Sequence, residues 1–452
     1  MTTTGLMISV AGVRGIVGES LTPPVLSRFA CAFASELGPG PVVVGRDART
    51  SGPMVYRAVA AGLMAAGRDV VDLGLATTPA TQVAVEKLRA AGGIILTASH
   101  NPRPWNALKF LSPLGEFLDA ATGGRVRARY ESGTESWVGV DGLGSERAEA
   151  HADDWHLERV LALDCLDLRA VRARKLKVAV DGCASVGGVA LPRLLEALGA
   201  TVVKLDCEPT GAFTRELEPV PEHLGALCRV VRESGADFGI AVDPDADRAA
   251  LVDEHGTPLG EEYTVVLGAQ VVLAANPGPA VTNLSTSRML DAVCERLGVP
   301  LHRTPVGEAH VVAAMRACGA VVGGEGNGGV IVPAVHYGRD SLVAAALVCQ
   351  ALSASGQTLR QLADRLPRLV MIKEKSGRPD ESWGITAQRL RLAFEGYEAD
   401  NTDGLRLVKG EDWVHVRSSG TEPVVRVIAE SPSESRARDL VGAARRALQG
   451  TS

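Results

Sequence analysis

Phe238-Gly239-Ile240-Ala241-Val242 runs without a spacer into Asp243-Pro244-Asp245-Ala246-Asp247-Arg248. A short uninterrupted apolar segment predicts a strand covered on both faces. The abrupt arrival of three carboxylates marks its carboxyl end. Upstream, residues 176–180 form another apolar run, followed by a turn rich in Gly, Ser and Asp and an Ala/Leu/Val-rich helical stretch. That stretch closes on Gly199-Ala200-Thr201-Val202-Val203. Strand, helix of about 10–15 residues, glycine cap and strand is the pattern of a βαβ unit.

The order repeats twice more. Residues 42–45 lead to Gly67-Arg68-Asp69-Val70-Val71, and residues 280–283 lead to Gly298-Val299-Pro300-Leu301. Each unit is followed by a further apolar run that ends in an unusual loop. Besides the acidic loop, these are Gly93-Ile94-Ile95-Leu96 before Thr97-Ala98-Ser99-His100-Asn101-Pro102, and Ala320-Val321-Val322-Gly323 before Gly324-Glu325-Gly326-Asn327-Gly328-Gly329. Ligands of open α/β sheets lie beyond the carboxyl ends of the strands, so three such loops are expected to form one composite site. The polar stretch 131–154 predicts a link out of the first unit. The expected boundaries are 1–150, 151–255, 256–366 and 367–452. In the last segment, residues 405–408, 413–417 and 424–429 read as strands, and a helix is expected to start near the N-cap Ser433.

Composition narrows the function classes. The 452 residues carry 47 Lys plus Arg against 53 Asp plus Glu, a net charge of −6, which argues against a nucleic-acid binder. Hydrophobic residues at 46% exclude disorder, and aromatics at 4% leave the cores to Ala, Val and Leu. Leu342 to Cys349 is among the densest apolar stretches, far short of the ~20 residues a membrane helix needs. Met1 to Gly18 does not read as a signal peptide, and the eight cysteines form no C-x-x-C pair. A cytoplasmic protein with reduced core cysteines is expected, with no membrane or nucleic-acid partner, as a monomer or homodimer.

Ser99 ends a buried strand beside His100 and just before Pro102; it reads as a nucleophile or phosphate carrier, or as a turn-capping serine. Asp243, Asp245 and Asp247 repel one another unless a hard cation such as Mg²⁺ resolves them, the alternative being a solvated acidic turn. An EF-hand is excluded because Arg248 stands where that loop needs Gly. The glycines of 324–329 allow close ligand approach, leaving Glu325 and Asn327 to hydrogen-bond sugar hydroxyls; a plain Gly-rich turn is the competing reading. Arg417-Ser418-Ser419-Gly420-Thr421-Glu422-Pro423, with Arg426, has the composition of a phosphate cradle. Arg14 is a further candidate phosphate donor, whereas Arg46 and Arg49 read as partners of Asp47 or other acids in structural salt bridges. His151, His156, His223, His255, His302, His310, His336 and His415 show no metal-ligand spacing and read as surface or satisfied side chains.

A seryl oxygen, a carboxylate cation site, a sugar loop and a phosphate cradle together point to phosphoryl transfer on a sugar phosphate. The four motifs at 97–102, 243–248, 324–329 and 417–421 resemble, in order and over essentially the whole chain, those of the α-D-phosphohexomutases. The resemblance implies an α/β fold of three similar mixed-sheet α/β domains plus a smaller C-terminal α+β domain around a central cleft. It implies that Ser99 is carried as phosphoserine, with Mg²⁺ held by its phosphate and by Asp243, Asp245 and Asp247. It also implies a hexose 1,6-bisphosphate intermediate that turns round in the site, and a sugar phosphate as the small-molecule partner. Glu325 and Asn327 would contact the sugar, while Arg417, Ser418, Ser419, Gly420, Thr421, Arg426 and Arg14 would grip phosphate. His100, Lys109 and Arg248 match neighbours of the phosphoserine, and Lys109 is the candidate general acid/base.

Two positions depart from the family pattern. Gly329 stands where several members carry His, and Ala107 stands where many carry Gly in a loop whose backbone is then more restricted. The sugar loop, with Trp105-Asn106-Ala107-Leu108-Lys109, looks most like the archaeal phosphoglucosamine mutases, implying conversion of glucosamine 6-phosphate to glucosamine 1-phosphate. A phosphomannomutase or phosphoglucomutase is the alternative; a metal-dependent sugar phosphatase and a non-catalytic phosphosugar sensor are more remote.

Overall fold

The computed structural model describes residues 5–9, 12–379, 381–418 and 424–450. Among these, the first sheet has seven strands, in the order Met7–Ser9, Gly12–Ile16, Trp105–Leu111, Gly92–Leu96, Val42–Arg46, Val70–Leu75 and Glu146–Ala148. The second has five: Pro258–Gly260, Ala249–Val252, Phe238–Val242, Lys177–Asp181 and Thr201–Leu205. The third has four: Leu301–Thr304, Ala280–Asn283, Val322–Glu325 and Gly329–Ile331. Helices such as Gly52–Ala65, Gly187–Ala197 and Met289–Leu297 connect the parallel strands, as the βαβ pattern predicts.

One device recurs in all three sheets. Gly92–Leu96 runs parallel to Val42–Arg46 on one side and antiparallel to Trp105–Leu111 on the other. Phe238–Val242 lies likewise between Lys177–Asp181 and Ala249–Val252. Val322–Glu325 lies between Ala280–Asn283 and Gly329–Ile331. The connections at 97–104, 243–248 and 326–328 are shorter than the dozen or so residues of a crossover, so the chain must reverse. Each sheet is therefore mixed, and each reversal happens at one of the three loops singled out in the sequence.

The second and third sheets share one continuous apolar core, from Val178, Leu194 and Phe238 to Leu273, Val293 and Leu347. Its centre is the helix Ser341–Ser355, in which residues 341–349 are all buried. The Leu342–Cys349 run is thus core helix, each buried Leu or Val contributing about 1.5–3 kcal/mol. No helix among the described residues is long and apolar enough to cross a membrane, and all eight cysteines are free.

The fourth sheet is wholly antiparallel: Val370–Gly377, Val424–Ser431, Asp412–Ser418, Leu405–Lys409 and Glu398–Asp400. Helices Trp383–Ala393 and Glu434–Gln449 pack on it, the latter capped by Ser433 Oγ accepting from the Arg436 amide. The expected strands and the Ser433 helix are present. Val370–Gly377 is an addition: its Lys373, Glu374 and Lys375 hide a strand from apolar pattern reading.

This sheet meets the third unit through polar contacts. Lys373 Nζ donates to Glu262 Oε1 and to the Gly326 carbonyl, at 2.8 and 3.0 Å. Val306 N donates to Asp403 Oδ2 at 3.0 Å. His415 is fully buried, its Nδ1 2.9 Å from Ser285 Oγ and its Nε2 2.6 Å from the Asp403 carbonyl. Burial, with Arg417 and Arg406 nearby, brings this histidine down to about 4 from 6.5. A depressed folded value means stability that is complete above pH 6.5 and is lost as pH falls toward 4. The displacement is worth up to roughly 3 kcal/mol. His415→Gln is therefore expected to flatten the loss of thermal stability between pH 7 and pH 4.5; a variant midpoint that falls as steeply as the native one would refute the assignment.

Candidate active site

The buried strand Gly92–Leu96 delivers Thr97 and Ser99 to its carboxyl end. Thr97 Oγ1 donates to Asp47 Oδ2 at 2.7 Å and accepts from the Ser99 amide at 2.9 Å. Arg49, 1% exposed, gathers the loop. It donates to the carbonyls of Ser99, Asn101, Pro102 and Trp105 at 2.5, 2.7, 3.1 and 3.0 Å, and to Asp47 at 3.1 Å. The expected Arg49–Asp47 salt bridge is present, and its wider effect is to hold the serine loop. Ser99 needs that support, because its φ of 48° lies in the left-handed region, at about 1–3 kcal/mol for a residue other than Gly. Its Oγ donates to Asp243 Oδ2 at 2.7 Å and lies 3.4 Å from His100 Nδ1. Burial and the cations of Arg248 and Arg14 keep His100 neutral, well below its usual titration range. Arg14 Nη1 donates to Asn101 Oδ1 at 2.7 Å.

Asp243, Asp245 and Asp247 are wholly buried, with oxygens within 4.8 Å of one another. Burial and the other two carboxylates push Asp243 well above the ordinary carboxyl range. For Asp245 burial acts in the same direction, but the Lys109 ammonium and the Thr78 hydroxyl outweigh it and hold the carboxyl well below that range. Each partner takes one oxygen and leaves the other. Asp245 Oδ2 accepts from Thr78 Oγ1 and Lys109 Nζ at 2.6 and 2.7 Å. Asp247 Oδ2 accepts from Arg339 Nη2 at 2.6 Å, with Lys109 at 3.9 Å. Oδ1 of both residues is buried without a hydrogen bond, Arg248 Nε standing 3.6 Å from that of Asp247. Two orphaned carboxylate oxygens beside Asp243 and Ser99 are the donor set a divalent cation takes, so the residues fit Mg²⁺.

Glu325 is the last residue of its strand, paired with Gly329, so the Gly-rich loop is the tight turn 326–328. Its Oε1 accepts from Asn283 Nδ2 and the Gly307 amide at 2.7 and 3.0 Å. Its Oε2 accepts from Arg339 Nη1 and Asn327 Nδ2 at 3.2 and 3.3 Å. That fills the ~four acceptor sites of a carboxylate. Asn327 Oδ1 is the acceptor left over, buried and without a hydrogen bond. Beneath the turn, a Cβ at Gly326 would collide with the Glu262 carboxylate.

Arg417 and Arg426 are direct cross-strand partners, and Lys375 pairs with Arg426 from the next strand. Like charges opposite one another are destabilising unless an anion joins them. Strand alternation puts this cationic row on the face that also carries Lys373 and His415, the face turned toward the third unit. The sequence motif contains no lysine; the sheet adds one. Ser418 is exposed at the strand end, while Ser419, Gly420 and Thr421 lie outside the described residues.

Other expectations resolve as follows. Ala107 is in the regular strand Trp105–Leu111, paired with Arg14, so its Cβ restricts no loop; this corrects the expectation of a stiffened connection. His156 and His336 are buried and converge on Asp340 Oδ2 at 2.6 and 3.0 Å, a meeting invisible across their separation in sequence. Their Nδ1 atoms find no hydrogen-bond partner. A metal-bound histidine donates its second N–H, so this trio fits a metal poorly. It suits an N-cap instead, with Asp340 Oδ1 accepting from the amides of Leu342 and Val343. Sequence reasoning missed Thr78, Ser185 and Arg339, and it read Arg49 only as a salt-bridge partner. Thr78 follows the carboxyl end of the strand Val70–Leu75, and that position could have flagged it. Ser185 accepts from the Ala48 amide and donates to the Pro244 carbonyl, at 3.2 and 2.6 Å, binding two loops together.

The cluster makes a prediction about charge. Asp243→Asn removes one of three mutually repelling carboxylates, so it is expected to leave the thermal midpoint unchanged or raised while Mn²⁺ binding, followed by electron paramagnetic resonance, is lost. Unaltered Mn²⁺ affinity would remove the cation from this site.

The chain matches the phosphoglucomutase/phosphomannomutase α/β/α domains I, II and III over residues 6–137, 154–256 and 260–370, and the family's C-terminal domain over 372–447. It is 37% identical over 445 residues, 97% of each chain, to a phosphoglucomutase/phosphomannomutase of Thermococcus kodakarensis. It is 36% identical, over 96% of each chain, to a Methanopyrus kandleri protein named probable phosphoglucosamine mutase. A crystal structure of a phosphoglucomutase/phosphomannomutase family protein from Burkholderia thailandensis superposes with a TM-score of 0.86 at 29% identity, covering 98% of this chain and 97% of that one. The chain belongs to the phosphoglucomutase/phosphomannomutase family of the α-D-phosphohexomutase superfamily, whose members are isomerases.

Proposed function

We propose that this chain interconverts hexose 6-phosphates and hexose 1-phosphates through phosphoserine at residue 99. The observation that carries the reading is the 2.7 Å contact between Ser99 Oγ and Asp243 Oδ2, which joins residues far apart in sequence. Asp243, Asp245, Asp247 and the Ser99 phosphate would hold Mg²⁺, which supplies charge neutralisation at the transferring phosphoryl group. A sugar hydroxyl attacks the phosphorus, the P–Oγ bond breaks and a P–O bond to the sugar forms, giving a 1,6-bisphosphate. The hydroxyl proton is returned to Ser99 Oγ, with Lys109 as the relay and the neutral His100 beside it. The bisphosphate turns round, and Ser99 then takes the other phosphoryl by the reverse step. The Lys375–Arg426–Arg417 row, with Arg14, grips the phosphate that is not reacting.

The substrate proposed is glucosamine phosphate. Asn327 Oδ1 is an open acceptor held against the Glu325 carboxylate, which suits a 2-ammonium group that can only donate. Relatives named phosphoglucosamine mutase support this choice. The relative named phosphoglucomutase/phosphomannomutase supports glucose or mannose phosphate as the second reading.

Intact-mass measurement of purified protein is expected to show a fraction heavier by one phosphoryl group, absent in Ser99→Ala and discharged to a hexose bisphosphate by glucosamine 6-phosphate. Release of inorganic phosphate in step with turnover would favour a phosphatase and overturn the mutase; faster turnover of mannose or glucose phosphate would overturn the glucosamine choice. Arg417→Ala removes charge-assisted bonds worth about 1.5–3 kcal/mol, so a rise in KM of about 10- to 100-fold with kcat less affected is expected. An unchanged KM would disprove the cradle.

A further inference from the structure

Arg339 has no part in any motif above, yet it is buried among three acids from two units. Nη2 donates to Asp247 Oδ2 at 2.6 Å, Nε to Glu308 Oε2 at 2.7 Å and Nη1 to Glu325 Oε2 at 3.2 Å. Asp247 belongs to the acidic loop of the second sheet, Glu325 ends a strand of the third, and Glu308 begins the helix Glu308–Cys318. A guanidinium is planar, with its donors at fixed angles, so three bonds from one group fix three carboxylates relative to one another. Two consequences follow locally. Asp247 has one oxygen tied back and the other left for the cluster. Glu325 is held in the orientation that in turn holds Asn327.

The neighbouring strand is shaped to admit this side chain. A Cβ built on Gly329 would collide with Arg339 Cδ and stand 2.6 and 3.0 Å from its Cγ and Cβ. Gly329 is not among the glycines with positive φ, so clearance for Arg339, rather than backbone conformation, demands glycine there.

We propose that Arg339 is a positioning residue for phosphoryl transfer: a rigid spacer that holds the cation-binding carboxylate Asp247 and, through Glu325, the ligand-facing Asn327 in one frame, with Gly329 as its required clearance. The proposal rests on the mutase reading for its catalytic consequence, but its effect on the cation site is independent of turnover. A charge-balancing role alone would be satisfied by Lys, which keeps the charge and loses the fork.

The test uses the full chain with Arg339→Lys and Gly329→Ala, the second preserving every charge while crowding Arg339. Mn²⁺ affinity is read by electron paramagnetic resonance, kcat and KM with hexose phosphate, and folding by thermal midpoint. Both variants are expected to bind Mn²⁺ about 10- to 100-fold more weakly and to lose kcat by a similar factor, with KM changed less, as for residues that orient metal ligands. Native Mn²⁺ affinity in folded Arg339→Lys, or a loss confined to KM or to the thermal midpoint, overturns the proposal. If Arg339→Lys fails to fold, Gly329→Ala decides alone: native affinity and kcat there overturn it as well. Weakened Mn²⁺ binding in a protein whose native form does not interconvert hexose phosphates would instead refute the mutase reading and leave the positioning role standing.

Discussion

Burying Asp243, Asp245 and Asp247 side by side is the constraint on which the rest of the structure depends. Isolated carboxylates in a protein interior are strongly unfavourable, and three together add mutual repulsion. The cations that offset this come from elsewhere: Lys109 from the first sheet and Arg339 from beyond the third. Arg248 of the loop itself stands 3.6 Å from Asp247, but the short ion pairs form only when three units are assembled around the loop. Thr78, whose hydroxyl and amide both reach Asp245, and Ser185, which links Ala48 to Pro244, tie the same loops by hydrogen bonds.

That assembly supports backbone strain at two of the loops. Ser99 and Ala246 both have left-handed backbone, and both lie in reversing loops at the carboxyl ends of buried strands. Such conformations persist where the surroundings over-determine them. Around Ser99 the five donor contacts of Arg49 do so. The result is a serine hydroxyl already directed at a carboxylate. The junctions differ in kind: the second and third sheets share an apolar core, whereas the fourth sheet meets the third unit through Lys373, His415 and Asp403. Polar junctions of this sort give more readily than apolar ones.

Much of this was legible residue by residue. The three apolar runs that end in Ser99, in the Asp triplet and in Glu325 declare both the sheets and the loops, because strand ends and polar loops are local patterns. The helix cap at Ser433 is local too. Lys109 was found by its place in a motif; its pairing with Asp245 was not. Arg339 and Ser185 left no trace, since a lone Arg or Ser between ordinary neighbours carries no periodicity, and Thr78 had only its place after a strand end. Val370–Gly377 was missed because a strand with one wet face and alternating charges resembles a linker. Gly329 was noticed as a departure, but its reason, the side chain of Arg339 behind it, is a spatial fact.

The amino-acid sequence by itself determined the βαβ units, the order of the loops and the residue types brought to each, because these follow from short-range alternation of apolar and polar groups. Only the tertiary structure decided which oxygen of each carboxylate is tied and which is left open, which cation faces which acid, and that Lys375 joins Arg426 and Arg417 in one row. Those outcomes depend on contacts between residues far apart along the chain, set by strand register and by the packing of separate sheets, and no local pattern encodes them.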